Sequence, residues 1–306
     1  MPLSPNLRGA LYIMVAMVGF AFNDAITKHS SASMNTAQVM LVRGVFASTL
    51  VAMLAWRHGA LATPRLALHP LIALRALAES GGTLCFLLAL AHLPLANVSA
   101  VMQALPLAVT MGAALVFGEG VGWRRWLAIV AGFIGVMIVV RPGFEGFSSY
   151  SLLALASVVC CVVRDLVTKK IPAEIPTLLV STTTAMIITI LGALLLVPMG
   201  GWTPMSSSDL TLLAIAAVLV LIGYQFVILS MRTGDVSFVA PYRYTALLWS
   251  MLLGFGVFGD LPDSAMLLGS AIVVASGLYT FYRERVVGRP RNADESTGPA
   301  MEPDGI

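Results

Sequence analysis

The chain has 306 residues, 58% of them apolar and 11% charged, with a mean hydropathy of +0.90 and a formal net charge of +3. A soluble protein carries roughly 45–50% apolar and about 25% charged residues, so a chain this apolar must take lipid as part of its solvent. The small net charge by itself says nothing about nucleic acid, and no nucleic-acid partner is expected; what matters is where the charges sit, because orientation follows Lys and Arg in the loops. Cys85, Cys160 and Cys161 all lie in apolar runs without metal-ligand spacing and read as small buried hydrophobes. Neither a metal nor a cofactor is expected.

A membrane-spanning helix needs about 20 mostly apolar residues. Ten segments meet that requirement, near 8–27, 36–56, 70–91, 95–117, 123–140, 149–168, 175–197, 209–230, 236–258 and 264–282. The first runs from Leu11 into Asn23-Asp24 without a small-x-small cleavage site and reads as a retained helix. Residues 284–306 are charged, carry Gly and Pro, and read as a disordered cytoplasmic tail. With the N-terminus inside, twelve of the 18 Lys and Arg residues fall on the cytoplasmic side and only Lys28 and Arg141 on the other. That bias predicts ten spans with both termini cytoplasmic.

The chain repeats itself. Asn23-Asp24-Ala25-Ile26-Thr27-Lys28 resembles Arg164-Asp165-Leu166-Val167-Thr168-Lys169, and Phe117-Gly118-Glu119 resembles Phe258-Gly259-Asp260, both at an offset of 141. Val98-Ser99 resembles Val236-Ser237 at an offset of 138. Two copies of five spans, residues 1–143 and 144–283, follow from this spacing. Five is odd, so the second copy enters the membrane upside down. The expected fold class is an all-α integral membrane protein, ten transmembrane helices arranged as two inverted five-helix repeats, with a site near the midplane.

Ionisable groups inside a span cost about 2.5–3.5 kcal/mol each on insertion scales, and so face protein or a water-filled cavity. Arg43, Arg75, Arg164 and Arg243 fall within spans. Arg75 and Glu79 stand four apart and read as a same-helix pair, a spacing repeated by Asp24 with Lys28 and Asp165 with Lys169. Such pairs serve either as interfacial anchors or as part of a site. Arg43 has no partner on its own helix, which points to Glu79 or Asp24 from another. Asp24, Glu79 and Asp165 are the candidates for proton coupling, because a carboxylate in a low-dielectric cavity holds its proton more tightly.

The fourth span places Ser99, Gln103, Pro106 and Thr110 on one face, and the ninth places Ser237, Pro241 and Tyr244 on one face, flanked by Tyr242 and Arg243. Proline inside a span frees a carbonyl and kinks the helix. Kinks at matching places in two halves point to a binding region. The substrate-binding candidates are therefore Arg43, Glu79, Ser99, Gln103, Thr110, Tyr224, Tyr242, Arg243, Tyr244 and Trp249. The same kinks also arise as ordinary packed prolines, and a lone Trp or Tyr also arises as an interfacial anchor.

The segment LPLANVSAVMQALPLAVTMGAALVFGE followed by WRRWLAIVAGFIGVMIVVRPG, the Arg43-Gly44 early in the second span and the five-plus-five arrangement resemble the drug/metabolite transporter superfamily, in particular its ten-helix EamA group. The resemblance covers about residues 8–283. It implies a carrier of organic metabolites across the bacterial inner membrane, similar to amino-acid exporters, nucleotide-sugar carriers and vitamin uptake proteins. Within the group, the start SPNLRGALYIMVAMVGFAFNDAITK and the central segment are similar to bacterial riboflavin transporters, implying riboflavin uptake. Exporters of amino acids or opine-type metallophores share the central segment and form the alternative. Four intramembrane arginines suit an anionic amino-acid-like solute, whereas Gln103, Tyr224, Tyr242, Tyr244 and Trp249 suit a flat neutral ring. An integral membrane transferase is a third reading, disfavoured because His29, His58, His69 and His92 are scattered and no Asp-rich loop motif is present. No GxxxxGK[ST] loop is present for an ATP-driven pump. The partners expected are a small-molecule substrate and the lipid bilayer.

Overall fold

The computed structural model describes residues 4–118, 121–142, 148–172, 174–234 and 236–287. Glu119 and residues 288–306 of the expected tail lie outside the described residues, as does the side chain of Ser237. Every regular element among the described residues is helical: α1 (Pro5–Ser30), α2 (Thr36–Arg57), α3 (Pro70–His92), α4 (Leu95–Met102), α5 (Leu105–Phe117), α6 (Trp123–Val140), α7 (Tyr150–Thr168), α8 (Thr177–Leu196), α9 (Ser207–Thr233), α10 (Val236–Val239), α11 (Thr245–Phe258) and α12 (Ser264–Val287), with 3-10 turns at Pro64–Leu68 and Ala240–Tyr244. Among the described residues nine helical segments are long and apolar enough to cross a membrane, α4 and α5 together counting as one.

The two proline-bearing spans are not continuous. The run 95–117 breaks at Gln103-Ala104, and α5 restarts with Pro106 in its first turn. The run 236–258 is cut into α10, a 3-10 turn carrying Pro241, and α11. A ring at either position removes the N–H that would extend the preceding helix. The expected single helix over 236–258 is therefore corrected to a broken segment, whose longest piece has 14 residues.

Helix ends follow local chemistry. The Asn35 side chain accepts from the Gln38 amide to start α2, and Ser206 with Asp209 forms a capping box at the start of α9. Both α5 and α11 end on a glycine in the left-handed region, Gly118 at φ 68° and Gly259 at φ 72°, which closes the last turn without a Cβ clash.

The helices pack in pairs: α1 along α9, α3 along α7, α2 along α8, and α6 along α12. Smaller contacts join α3 to α8, α2 to α9, and α4 to α11. Small residues allow the close approaches. A Cβ on Gly135 would stand 2.7 Å from the Gly269 carbonyl oxygen, and one on Gly192 2.7 Å from the Leu41 nitrogen. On α6, Leu127, Val130, Ile134 and Met137 form an exposed apolar stripe, while Ile129, Gly132, Val136 and Val139 pack inward. A helix apolar on both sides fits one face to protein and the other to hydrocarbon. Gln38, fully buried, ties the loop before α9 to α2: its amide donates to the Thr203 carbonyl at 2.8 Å and accepts from the Thr203 N–H at 2.9 Å.

Candidate functional site

The charged residues of the spans meet in the interior, paired between helices as well as along them. On α1, Asn23 is 4% exposed; its amide donates to Asp24 Oδ1 at 2.9 Å and its carbonyl accepts from Arg43 Nη1 of α2 at 3.2 Å. Arg43 thus reaches Asp24 through Asn23, and no direct Arg43–Glu79 pair forms among the described residues. Asp24 lies six residues before the end of α1 and Arg43 seven after the start of α2, about 10 Å from the end where those helices meet at 1.5 Å per residue.

A second cluster gathers on α3, α7 and α8. Arg164 Nη1 donates to both oxygens of Glu79, at 3.1 and 3.2 Å, and its Nε donates to Asp165 Oδ1 at 2.7 Å. Arg75 lies 3.9 Å from Glu79 and donates to Thr168 Oγ1 at 2.9 Å and Thr184 Oγ1 at 2.7 Å. The same-helix pair expected for Arg75 and Glu79 forms, but the closer partner of Glu79 is Arg164 on another helix. Tyr224 of α9 is 53% exposed and packs edge-on against Phe20, with ring centroids 5.3 Å apart.

The lysines expected to pair with Asp24 and Asp165 go elsewhere. Lys28 Nζ donates to the carbonyls of Leu90 at 3.1 Å and Leu93 at 2.6 Å, closing the end of α3, and stands 5.4 Å from the Phe258 ring. Lys169 stands 5.1 Å from the Phe117 ring, while the Asp165 carboxylate is taken by Arg164. The i,i+4 spacing gave way because both lysines sit at helix ends, where carbonyl oxygens and ring faces compete for the ammonium.

The two helix breaks meet at a cavity of about 140 Å³ lined by Gln103, Arg243, Tyr244, Met17, Met102 and Phe281, among others. Gln103 Nε2 approaches the Arg243 carbonyl oxygen at 3.5 Å. Tyr244 is buried, with its hydroxyl against Gly277 and without a hydrogen-bond partner among the described residues. The remaining named residues lie apart from this cavity. Ser99 accepts from Ser250 at 2.9 Å, joining α4 to α11, and the Thr110 hydroxyl donates to its own helix at the Pro106 carbonyl, 2.9 Å away. Tyr242 and Trp249 pack with Phe20, Phe226 and Val239. Sequence reasoning left Asn23, Arg75, Arg164, Thr168 and Thr184 out of the site. The signal for Arg164 was its place in the repeated Asn23-Asp24/Arg164-Asp165 motif.

The profile of the EamA-like transporter family matches residues 7–141 and again residues 148–282. The S-adenosylmethionine uptake transporter of Rickettsia prowazekii is 25% identical over 285 residues, covering 92% of this chain and 95% of that protein. The riboflavin transporter of Vibrio cholerae is 28% identical over 294 residues, covering 94% and 97%. A pseudopaline exporter of Pseudomonas aeruginosa is 23% identical over 274 residues, covering 88% and 94%. A crystal structure of another protein, 18% identical, superposes with a TM-score of 0.63 over 91% of this chain and 98% of that one, a likeness of fold alone.

Proposed function

The chain belongs to the EamA-like transporter family, and we propose that it is a secondary transporter carrying a small organic metabolite across the bacterial inner membrane by alternating access. The observation that carries this reading is the set of charged side chains held between membrane-length helices: Asp24 with Asn23 and Arg43 toward one end, Glu79 with Arg75, Arg164 and Asp165 toward the other. Intramembrane charge is retained where a solute or ion passes. Asp24, Glu79 and Asp165 are the carboxylates for proton coupling in this scheme.

Two halves, 1–143 and 144–283, inserted in opposite orientations, give the moving parts. Three features support them. The family profile matches twice. The helix pairing maps onto itself when the first half is exchanged for the second: α1 with α9 becomes α7 with α3, and α3 with α8 becomes α9 with α2. The Lys–Phe contacts cross in the same way, Lys28 of one half on Phe258 of the other and Lys169 on Phe117. A carrier that rocks its halves needs closures of this kind at both ends. The distribution of Lys and Arg supports both termini on the cytoplasmic side.

For the solute, riboflavin uptake rests on the likeness to riboflavin transporters and on the aromatic and amide groups near the helix breaks. Export or uptake of an amino-acid-like solute is the second reading, favoured by the arginine-rich interior and by relatives named for S-adenosylmethionine and pseudopaline. The test is twofold. Expression in a riboflavin-auxotrophic bacterium at low vitamin concentration is expected to restore growth. Proteoliposomes holding the purified protein are expected to take up or release at least one of riboflavin, S-adenosylmethionine and the amino acids. Rescue assigns riboflavin and inward movement together; no flux of any of these solutes would sink the transport reading.

A further inference from the structure

Of the four arginines within the spans, three are matched by side chains of the protein. Arg164 is held by Glu79 and Asp165, Arg75 by Glu79, Thr168 and Thr184, and Arg43 by Asn23 beside Asp24. Arg243 is different. Its guanidinium makes no hydrogen bond or ion pair with any described residue, and its Nε is wholly buried. The charges that reach it electrostatically are Asp165 and Arg164, and the Asp165 carboxylate already accepts from Arg164.

An arginine cannot shed its proton to escape this position. A buried charge without a counter-ion costs several kcal/mol even after relaxation. Arg243 is half-buried, with its Nε shut away from solvent; it sits in the 3-10 turn behind Pro241 and lines the cavity between the two broken helices. The other polar groups on that cavity, the Gln103 amide and the Tyr244 hydroxyl, both offer donors; Met17, Met102, Leu105 and Phe281 give the rest of the lining an apolar surface. Among the described residues the lining carries no acidic side chain.

We propose that Arg243 is the recognition point for a carboxylate of the transported solute, received in the cavity shared with Gln103 and Tyr244. The inference rests on the transport reading above and narrows its substrate class to small amino-acid-type carboxylates with an apolar portion. The guanidinium fork matches a carboxylate with two parallel hydrogen bonds. The space of about 140 Å³ beside Arg243 has room for an amino-acid head group. The solute's anion completes the ion balance, so the loaded cavity is more stable than the empty one.

The experiment uses the full chain in detergent and in proteoliposomes, with S-adenosylmethionine and the amino acids set against their carboxamides as matched pairs, and riboflavin as the neutral solute. At least one acid is expected to raise the melting temperature of the wild-type protein and to be transported, at least tenfold faster than its amide. Arg243→Gln is expected to abolish that discrimination, and Arg243→Lys, which keeps the charge and loses the fork, to restore it in part. The empty Arg243→Gln protein is expected to melt at or above the wild-type temperature, because an unmatched charge has been removed. A packing arginine would behave oppositely, its loss lowering the melting temperature and leaving discrimination intact, and that result overturns the proposal. Transport of riboflavin without any acid overturns it while sparing the transport reading. No flux of any solute defeats both.

Discussion

Single side chains settle how the ends of the helices are held outside the membrane region. Asp263 accepts from the Met266 amide at 2.7 Å, capping the start of α12, and pairs with Arg141, which ends α6 in a left-handed conformation at φ 52°. The Met266 N–H, and secondarily the Arg141 guanidinium, hold the Asp263 carboxyl below its usual range. A depressed carboxylate contributes stability fully above its unfolded value, about 3.9, and loses it as pH falls through the lower folded value. Asp263→Asn keeps a capping oxygen and is expected to cost at most about 1 kcal/mol at pH 7, the range of an exposed ion pair. Asp263→Ala removes the cap as well and is expected to cost about 0.5–2 kcal/mol more. Thermal melts at pH 7 and pH 3 measure both; a wild-type advantage over Asp263→Asn that persists undiminished at pH 3 would contradict the assignment to the ion pair.

At the scale of elements, the two helix breaks and the two crossed lysines join the two halves of the chain. Pro106 and Pro241 interrupt spans that composition alone reads as continuous, and the interruptions bring Gln103 and Arg243 together from opposite halves of the chain. Lys28 fastens the end of α3 and the Phe258 ring, and Lys169 lies on Phe117 at the repeat-equivalent position. As closures at opposite ends, each contact holds its own end, and removing it loosens that end alone. In a cysteine-free background, Lys28→Ala is expected to raise labelling of Ala25→Cys by an impermeant maleimide added outside, by at least the few-fold change that follows from losing a cation–π contact of about 0.5–1 kcal/mol, since the two hydrogen bonds to Leu90 and Leu93 go with it. Lys169→Ala is expected to leave that labelling unchanged or lower it. Equal increases from both substitutions would rule out separate closures.

For the molecule as a whole, the expected arrangement of ten crossings predicts a cytoplasmic C-terminus. A reporter active only in the cytoplasm, fused after Ile306, is expected to be active, and a reporter that needs the outside to be silent. The reverse result would remove the inverted-repeat scheme, since an odd number of crossings leaves no room for two equal halves.

Much of this was legible in the chain itself. Membrane residence, helical class and the positions of most spans follow from apolar runs of about 20 residues, because in hydrocarbon the backbone must satisfy its own hydrogen bonds. The family resemblance was readable in the central segment, where LPLANVSAVMQALPLAVTMGAALVFGE carries both the broken helix and its glycine stop. Partner choice was not legible. The spacing of Asp24 with Lys28 and of Asp165 with Lys169 points to pairs along one helix, whereas the folded chain gives Asp24 to Asn23, Asp165 to Arg164, and the lysines to carbonyls and rings. An ammonium or guanidinium on a long stem reaches several acceptors of similar strength, and only the packing of α1, α3, α7 and α9 decides which one lies near. For the same reason the sequence named Arg43 and Arg243 together as binding candidates, and only the tertiary structure separated them, by giving Arg43 the Asn23 side chain as an acceptor and leaving the Arg243 Nε without one beside a largely apolar cavity.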